Sequence, residues 1–342
     1  MKTIIKKFRD CSFEEWNRYL EYFDYSVNYT FWFINYLEVL NLRFKIINET
    51  YLILNYENKS EPLAIVPLYI ETIDKHNQIS TGNEPIFGPI LSKYLQKKDS
   101  KIIKSIIFSQ FENFFIEFGC KSLKVQFSPF LKINFLTDDF LKNNFKIGIS
   151  FPDWYTNKCD QVFILNLNKT KEKLFKSIRK GHRANIKRTS QKSKIIILDQ
   201  DNQSESLFKE YVDLYLEIKG NLRSMKAFEN DYNAIKGGFE IIFMCLYENN
   251  IVGAIAVHKS KRFARYNSSF QRYQEDIFPN HFLIWNAICY LKDRGVEQFE
   301  VGEKINSNLG KKIAVKEQNL SHFKAGWGGD LAPWIKFEKL AQ

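Results

Sequence analysis

A lysine placed just before a cluster of glycines is the first candidate for chemistry in this 342-residue sequence. Lys324 lies in the segment 319–331, and three of the four residues 326–329 are glycine. Glycine adopts positive φ and allows a backbone to approach a ligand closely, so the segment indicates a binding loop. The Lys324 ammonium would there stabilise a developing oxyanion or hold a phosphate. A tight connection between strands, with an exposed lysine, is the structural alternative.

Acids and bases near that segment supply the proton chemistry. Glu303 follows a strand-like run, and a carboxylate at a strand end is a candidate to accept a proton from an attacking amine. Histidine ordinarily changes its charge near neutral pH, so His281 and His322 are candidates for the same task. The structural alternative for Glu303 is an exposed glutamate near Lys304. For each histidine it is a side chain that only packs. Because no Ser-His-Asp spacing and no G-x-S-x-G elbow occurs, we do not expect a covalent acyl-enzyme.

A basic segment is the second candidate. Residues 169–194 contain eleven Lys or Arg residues and one acid, a net +10 in a chain whose formal net charge is +11. At 100° per residue, one face of a helix over 171–190 is apolar and the opposite face is cationic. This cationic face, which includes Arg179, Arg183 and Lys187, predicts a site for the phosphates of tRNA, CoA or a sugar-linked precursor. A solvated helix face is the alternative, although the lack of acids removes the usual i,i+4 pairing.

Composition limits the other possibilities. The five cysteines are scattered, with no CxxC and no Cys/His cluster, so we expect neither a disulfide framework nor a zinc site. The N-terminus lacks the apolar stretch of a signal peptide, and no window approaches 18 uninterrupted apolar residues. These features predict a cytoplasmic protein that binds no metal.

The length suits two domains, and an aperiodic stretch at 151–154 predicts a boundary between residues 1–152 and 153–342. Strands followed by a helix and a further strand predict an α/β (α+β) first half, with one of the strands at 63–70 and a loop at 82–90. In the second half, apolar residues at helical spacing predict a helix over 204–219, and residues 248–250 form a predicted hairpin turn. Further predicted elements are strands at 161–167, 194–198, 262–268 and 298–301, and helices at 171–190 and 281–294.

Four segments of the second half together carry a family resemblance. They are similar, in the correct order, to segments of the Fem-type peptidoglycan-bridge aminoacyltransferases and their GNAT-like relatives. The match covers about residues 160–332. The segments are FKSIRKGHRANIKR at 175–188, the strand pieces GA at 253–254 and RYNSS at 265–269, PNHFLIW at 279–285 with KDRG at 292–295, and FKAGWGG at 323–329.

The resemblance implies two tandem GNAT-like domains, each with a mixed central sheet flanked by helices. It also implies site roles for Phe323 and Lys324 near the acyl group. By matching position, residues that would bind substrate are Arg265, Tyr266, Asn267, Ser269, His281 and Trp285. The chain has EVGE at 300–303 where the family has D-x-G-G, and it lacks the R-x-x-G-x-G loop of acetyl-CoA enzymes.

We therefore predict an acyl- or aminoacyl-transferase of cell-envelope biogenesis that forms an amide on a peptidoglycan or polysaccharide precursor by direct transfer. No cofactor is expected to be bound, because the activated donor, aminoacyl-tRNA, is a co-substrate. An alternative is an N-acyltransferase that uses acyl-CoA or acyl carrier protein and a nucleotide-linked amino sugar. A protein of another class, which binds RNA or an anionic membrane surface without catalysis, is the third alternative.

Overall fold

The computed structural model describes residues 1–40, 45–81, 86–127, 158–304 and 314–340. The chain forms two compact units: unit 1 comprises Met1–Cys159 with Trp334–Gln342, and unit 2 comprises Asp160–Pro333. The predicted boundary at 152–153 lies outside the described residues and stays a prediction. The final residues group with unit 1, whereas the sequence division had assigned them to the second domain.

Unit 1 has a mixed α/β architecture. One sheet has the order β1-β3-β4-β8, and a second runs β9-β6-β5-β2 with β7 also paired to β9. Ser12 caps α1 because its side chain accepts a hydrogen bond from the Glu15 amide. The bounds are β1 Thr3–Lys7, α1 Phe13–Leu20, α2 Phe31–Leu40, β2 Lys45–Asn48, β3 Tyr51–Asn55, β4 Pro62–Val66, β5 Tyr69–Ile73, β6 His76–Ile79, β7 Ile86–Phe87, β8 Ile90–Leu91, α3 Lys97–Glu117 and β9 Cys120–Phe127.

Unit 2 is built on a sheet with the order β11-β12-β13-β14-β15-β10, in which only β14 and β15 run parallel. The bounds are β10 Lys158–Asn166, α4 Lys171–Ser177, α5 Lys180–Ser190, β11 Ser193–Leu198, α6 Glu205–Lys219, α7 Met225–Lys236, β12 Glu240–Tyr247, β13 Asn250–Lys259, β14 Phe263–Gln271, α8 Pro279–Asp293, β15 Gln298–Lys304 and α9 Val315–Ala325. The last strand, β16 (Asp330–Leu340), begins in unit 2, and its part from Trp334 onward belongs to unit 1.

A separate hydrophobic core lies on each face of the unit 2 sheet. Alternating strand residues such as Phe243 and Val257 pack with α4, α5 and α8 on one face. Their neighbours Ile242 and Ala256 pack with α6 and α7 on the other. Because successive side chains of a strand point to opposite faces, a charged residue that replaces an apolar one in this pattern is forced into one of the two cores.

Most predicted elements of unit 2 are confirmed, with three corrections. The predicted basic helix over 171–190 is two helices, since Ile178 and Arg179 have extended ψ values of 140° and 141°. The prediction missed α7 entirely. It also missed α9, so Lys324 lies in the last turn of a helix and not in a loop.

Two details of unit 1 also differ from the prediction. The single strand predicted over 63–70 is interrupted, and its residues divide between β4 and β5. In the predicted loop 82–90, residues 82–85 lie outside the described residues, and the short strands β7 and β8 begin at Ile86 and Ile90.

Candidate active site

Lys324 and Gly302 are packed against each other. The Cε and Nζ atoms of Lys324 lie 2.7 Å from the position that a β-carbon on Gly302 would occupy. Gly302 has a φ of +111°, a conformation that residues with a side chain rarely adopt. The lysine side chain therefore crosses β15 at the one point of the strand where no side chain is in its way.

A β-bulge in β15 places two acids on one side of the strand. Phe163 and Ile164 are adjacent in β10 but pair with Gly302 and Glu300, so β15 carries one extra residue at this point. A bulge shifts the alternation of side chains by one residue. Glu300 and Glu303, three positions apart, thereby come to the same side of the strand, and both carboxylates act electrostatically on Lys324.

Arg265 completes a group of four charges. It is the register partner of Glu300 across the parallel pair β14–β15, and its Nε lies 3.2 Å from the Glu300 Oε1. Glu300 is only 1% exposed. Burial raises the pKa of its carboxyl, and the guanidinium of Arg265 offsets part of that rise.

Burial and nearby charges also change the pKa of the Lys324 ammonium. Its partial burial lowers the pKa, while Glu303 and then Glu300 act to raise it again. Arg265 adds a smaller contribution in the same direction as burial. The two carboxylates thus favour the charged form of Lys324 in a position that would otherwise disfavour it.

The Arg265–Glu300 pair also marks the last rung between two diverging strands. β14 and β15 pair only over Phe263–Arg265 and Gln298–Glu300. Beyond this rung, in the part of the chain that the structure describes, β14 continues with β13 as its partner and β15 with β10. Where two parallel strands stop pairing, a wedge-shaped gap opens between them, which we call the wedge. Lys324 packs against β15 at this wedge.

The predicted substrate-binding residues of β14 line the start of the same wedge. Ala256 and Val257 pair with Ser268 and Tyr266, so Asn267 is an extra residue in a second bulge. Asn267 is exposed, whereas Tyr266 and Ser269 are half-buried. Burial raises the pKa of Tyr266 to about 12, and its hydrogen bond with Ser269 opposes the rise. The structure therefore places these three residues and Arg265 close to one another on β14, and their role in substrate binding stays a prediction.

An aromatic cluster anchors the end of α9. Phe323 and Trp327 pack with His182 of α5 and His281 of α8, and the two imidazole centroids are 4.5 Å apart. The Nε2 of His182 lies 2.9 Å from the backbone oxygen of Phe323. Burial lowers the pKa of His182, and burial together with His182 lowers the pKa of His281 to about 3. His281 thus packs beside Phe323, and its burial favours the neutral imidazole.

The other predicted site residue of α8 packs nearby. Trp285 lies against Phe175 of α4, with ring centroids 4.9 Å apart. The contact joins α8 to α4.

The glycines after Lys324 have a packing role that corrects the sequence interpretation. A β-carbon on Gly326 would lie 2.3 Å from the His182 Nε2, and one on Gly328 would lie 2.5 Å from the Ser177 oxygen. A β-carbon on Gly329 would lie 2.9 Å from the Ile164 oxygen. The backbone amide of Arg179 also donates to the Gly326 oxygen at 2.8 Å. These glycines allow the chain to pack against α4, α5 and β10, and not against a ligand.

The cationic surface is formed by the outer sides of α4 and α5. Leu174, Ile178 and Ile186, which belong to the apolar face, are buried, although the helix breaks between them. Arg183 is half-buried and donates from Nη1 to the Lys176 backbone oxygen at 2.6 Å, so it helps to hold α4 against α5. Arg179 is half-buried as well. The exposed cations of this surface are Lys173, Lys176, Lys180, Lys187 and Arg188.

A row of buried polar residues leads away from Arg265 and was not predicted. His258 of β13 is the register partner of Arg265, and Glu240 of β12 is the register partner of His258. Both are nearly inaccessible, at 3% and 1% exposed. The sequence signal was available, since each residue interrupts an apolar alternation, but only the strand pairing shows that they form one row with Glu300.

Several proteins of known structure share this fold. FemX aligns over 100% of this chain and 98% of its own, with a TM-score of 0.70 and 12% identity. L-PGS from Bacillus licheniformis aligns over 96% and 92%, with a TM-score of 0.60 and 12% identity. A tandem GNAT protein from the clavulanic acid biosynthesis pathway aligns over 100% and 98%, with a TM-score of 0.52 and 10% identity. The predicted α/β fold with tandem GNAT-like domains is therefore confirmed.

The sequence itself matches no protein-family model and no curated protein. Among the described residues, no helix is both long and apolar enough to cross a membrane. In the same part of the chain, no group of three or more His, Cys, Asp or Glu residues is arranged to hold a metal ion.

Proposed function

We propose that the chain is an acyl- or aminoacyl-transferase that forms an amide on an amine of a cell-envelope precursor by direct transfer. The observation that carries the proposal is the position of Lys324. Its ammonium packs against the bulged end of β15, beside the wedge where β14 and β15 part, and two carboxylates and Arg265 act on it electrostatically.

The chemistry follows from that position. The acceptor amine attacks the carbonyl of an activated ester or thioester, the C–N bond forms, and the carbonyl oxygen becomes negative. Lys324 would stabilise this oxyanion, a contribution of about 10²–10³ in rate for one such contact. The C–O or C–S bond then breaks, and the leaving oxygen or sulfur takes a proton that the amine releases. Glu303, half-buried beside Lys324, is the candidate to accept the amine proton.

The donor is proposed to be aminoacyl-tRNA, a co-substrate and not a resident cofactor. The exposed cations of the cationic surface favour a polyphosphate ligand, because few acids compete with it there. Acyl-CoA or acyl carrier protein is the second candidate, favoured by the fold shared with the tandem GNAT protein. The proposal includes a cytoplasmic location, with a peptidoglycan peptide or a nucleotide-linked amino sugar as acceptor.

One experiment separates the donors. Purified protein would be incubated with radiolabelled aminoacyl-tRNA in one reaction and radiolabelled acyl-CoA in another, each with a muropeptide precursor or a nucleotide-linked amino sugar. We expect the label in an amide product from the tRNA reaction only, and only when acceptor is present.

The controls are the reaction without acceptor and the Lys324→Met variant. Product from acyl-CoA alone would identify the second donor. If neither donor is consumed while the protein binds tRNA or anionic vesicles, the protein is a binding protein and the proposed catalysis is wrong.

A further inference from the structure

We infer that His182 is a positioning residue for Lys324. Its imidazole donates a hydrogen bond to the backbone oxygen of Phe323 and thereby fixes the peptide unit from which the lysine side chain extends. His182 lies in one of the segments that carry the family resemblance, but it was not among the predicted site residues. The catalytic meaning of the inference rests on the proposed function, whereas the contact itself can be tested without a substrate.

The contact holds the peptide unit between Phe323 and Lys324. The His182 Nε2 lies 2.9 Å from the Phe323 oxygen, an ordinary length for an N–H···O hydrogen bond. A backbone oxygen only accepts hydrogen bonds, so the Nε2 of His182 carries the proton. Because a peptide unit is planar from one Cα atom to the next, holding this oxygen also orients the bond that leads to the Cα of Lys324.

The end of α9 depends on contacts from outside the helix. In α9, all of whose residues the structure describes, no side chain is buried. The last carbonyls of a helix also lack partners within it, and Phe323 lies in the last turn. Its oxygen accepts from the Gly326 amide at 3.1 Å and from His182, so the imidazole supplies a second partner from α5. Without His182 we expect this turn to loosen.

His182 is itself held in a fixed position. It lies near the start of α5, is 7% exposed, and its ring packs at right angles to that of His281, with centroids 4.5 Å apart. The extended residues that separate α4 from α5 also place the Arg179 amide 2.8 Å from the Gly326 oxygen. The break in the basic segment therefore directs two donors to the end of α9, one from the backbone and one from the imidazole.

Gly302 confines the other end of the lysine. The Cε and Nζ atoms of Lys324 lie 2.7 Å from the position of a β-carbon on Gly302. A side chain enters so narrow a gap only when its Cα stands at the right place. Lys324 is thus confined at its tip by the strand and held at its backbone by His182.

A competing role for His182 is to hold α5, which carries exposed cations of the cationic surface. The two roles differ in their kinetics. In the proposed reaction Lys324 acts on a charge that exists only in the transition state, so its displacement lowers kcat and leaves the donor KM near the wild-type value. Damage to the cationic surface weakens donor binding and raises that KM.

The first test needs neither substrate nor variant. In protein labelled with ¹⁵N-histidine, two-bond ¹H–¹⁵N correlations give the tautomer of each ring at alkaline pH, where an imidazole is neutral. We expect His182, assigned through its backbone, to carry its proton on Nε2. A proton on Nδ1 instead would leave Nε2 with nothing to donate to Phe323 and would overturn the inference.

The second test asks whether the contact acts through Lys324. His182→Leu keeps an apolar side chain in the cluster and removes the donor, whereas His182→Gln keeps an N–H at a similar reach. We expect His182→Leu to lower kcat by about 10- to 10²-fold with little change in donor KM, and His182→Gln to recover most of the loss. In the Lys324→Met background His182→Leu should add almost nothing, because the two residues act as a unit.

Thr189→Val is the matched control. Thr189 lies on the same helix, is fully buried, and its Oγ1 accepts from the Phe278 amide at 2.8 Å, away from α9. This variant should lose melting temperature as His182→Leu does but keep its kcat. An unchanged kcat in His182→Leu, a raised donor KM with normal kcat, or a full further loss in the Lys324→Met background would each overturn the inference. If His182→Leu does not fold, the wild-type tautomer decides.

Hydrogen exchange separates this inference from the proposed function. A protein that transfers no acyl or aminoacyl group would refute the transferase and leave the contact to be judged by the tautomer and by amide exchange over residues 323–329. Exchange there should speed up in His182→Leu but not in His182→Gln or Thr189→Val. Wild-type exchange in His182→Leu would refute the positioning role even in an active transferase.

Discussion

The Nζ atom of Lys324 lies 2.7 Å from the point where a β-carbon on Gly302 would stand, so the ammonium occupies space that the strand leaves empty. A side chain at position 302 would therefore displace the lysine.

Lys324→Met tests the electrostatic role of the ammonium. Methionine keeps most of the apolar stem and removes the charge, so the melting temperature should hardly change, as for changes of less than about 1 kcal/mol. We expect kcat/KM to fall by about 10²-fold or more. Lys209→Met on the exposed side of α6 should change neither quantity. Near-normal turnover in Lys324→Met would mean that the lysine only packs.

Gly302→Ala should impair activity as strongly as Lys324→Met. The substituted strand must accept a φ of +111° and a methyl group 2.7 Å from the lysine. Gly295→Ala is the matched control, because Gly295 has a φ of +76° with no atom near its would-be β-carbon. Each change should cost about 1–2 kcal/mol of backbone free energy. Kinetics and urea unfolding of both variants would show whether only Gly302→Ala also loses turnover, and equal turnover in the two would contradict the displacement of Lys324.

The cationic surface should make donor binding sensitive to salt. Replacing the exposed residues Lys176, Lys180 and Lys187 with Gln should reduce the slope of log Kd for tRNA against log salt by about 2–3. Arg183 is left in place because its hydrogen bond joins α4 and α5. The measurement is a titration with tRNA at about 50 to 300 mM salt.

A second triple variant controls for total charge. Lys209, Lys219 and Lys226 are exposed on or near α6 and α7, and their replacement with Gln removes the same charge from another surface. Equal slopes in the two variants would show that only net charge matters and that α4 and α5 form no specific site.

No covalent acyl-enzyme should form on cysteine. Burial is the main reason that the pKa of each of four thiols is raised to about 11, so little thiolate is present near neutral pH. The four are Cys11, Cys120, Cys245 and Cys289. Intact mass after mixing with donor alone should show no added acyl group, and a stoichiometric adduct that passes to acceptor would refute direct transfer.

Glu240 should make stability fall as pH rises. Burial is the main reason that its pKa is raised well above the ordinary value of 4.5. The folded state therefore holds a proton that the unfolded state has already lost. The stabilising effect of this proton is complete below the ordinary pKa and is lost as pH rises through the pKa of the folded state. Between these two pKa values the free energy of unfolding falls by about 1.4 kcal/mol per pH unit.

Glu240→Gln removes this titration while keeping the shape of a neutral carboxyl. Urea unfolding at several pH values from 6 to about 9 should show a shallower loss of stability in the variant than in the wild type. Glu229→Gln, an exposed change on α7, should leave the wild-type slope intact. The same slope in all three proteins would mean that Glu240 is already ionised in the folded state.

Local patterns in the sequence predicted the elements whose packing is local. The apolar stripe of α6, with Tyr211, Val212 and Tyr215 buried, follows directly from helical spacing. The hairpin at Glu248 and Asn249 follows from turn chemistry, and both residues have the expected positive φ. Such features depend on neighbours within a few residues, so the sequence contains the information.

The features that shape the candidate site depend on distant pairings. Arg265 and Glu300 meet because a whole helix, α8, connects two parallel strands, and no local pattern specifies the register. The bulge that places Glu303 with Glu300 exists only relative to β10. The glycines at 326–329 were read as ligand contacts because the close approach of His182 and Ser177 is visible only in three dimensions.

The division of the chain has a consequence for synthesis on the ribosome. Strand β9 of unit 1 pairs antiparallel with Ile335–Leu340 of β16, through rungs such as Val125–Phe337. All of unit 2 is translated between these two segments. Unit 2 has its strands β10–β15 available before the ribosome reaches β16, whereas β9 must wait with one edge unpaired. A nascent chain stalled before Trp334 would therefore present an open strand edge to chaperones, and completing the last strand would end that exposure.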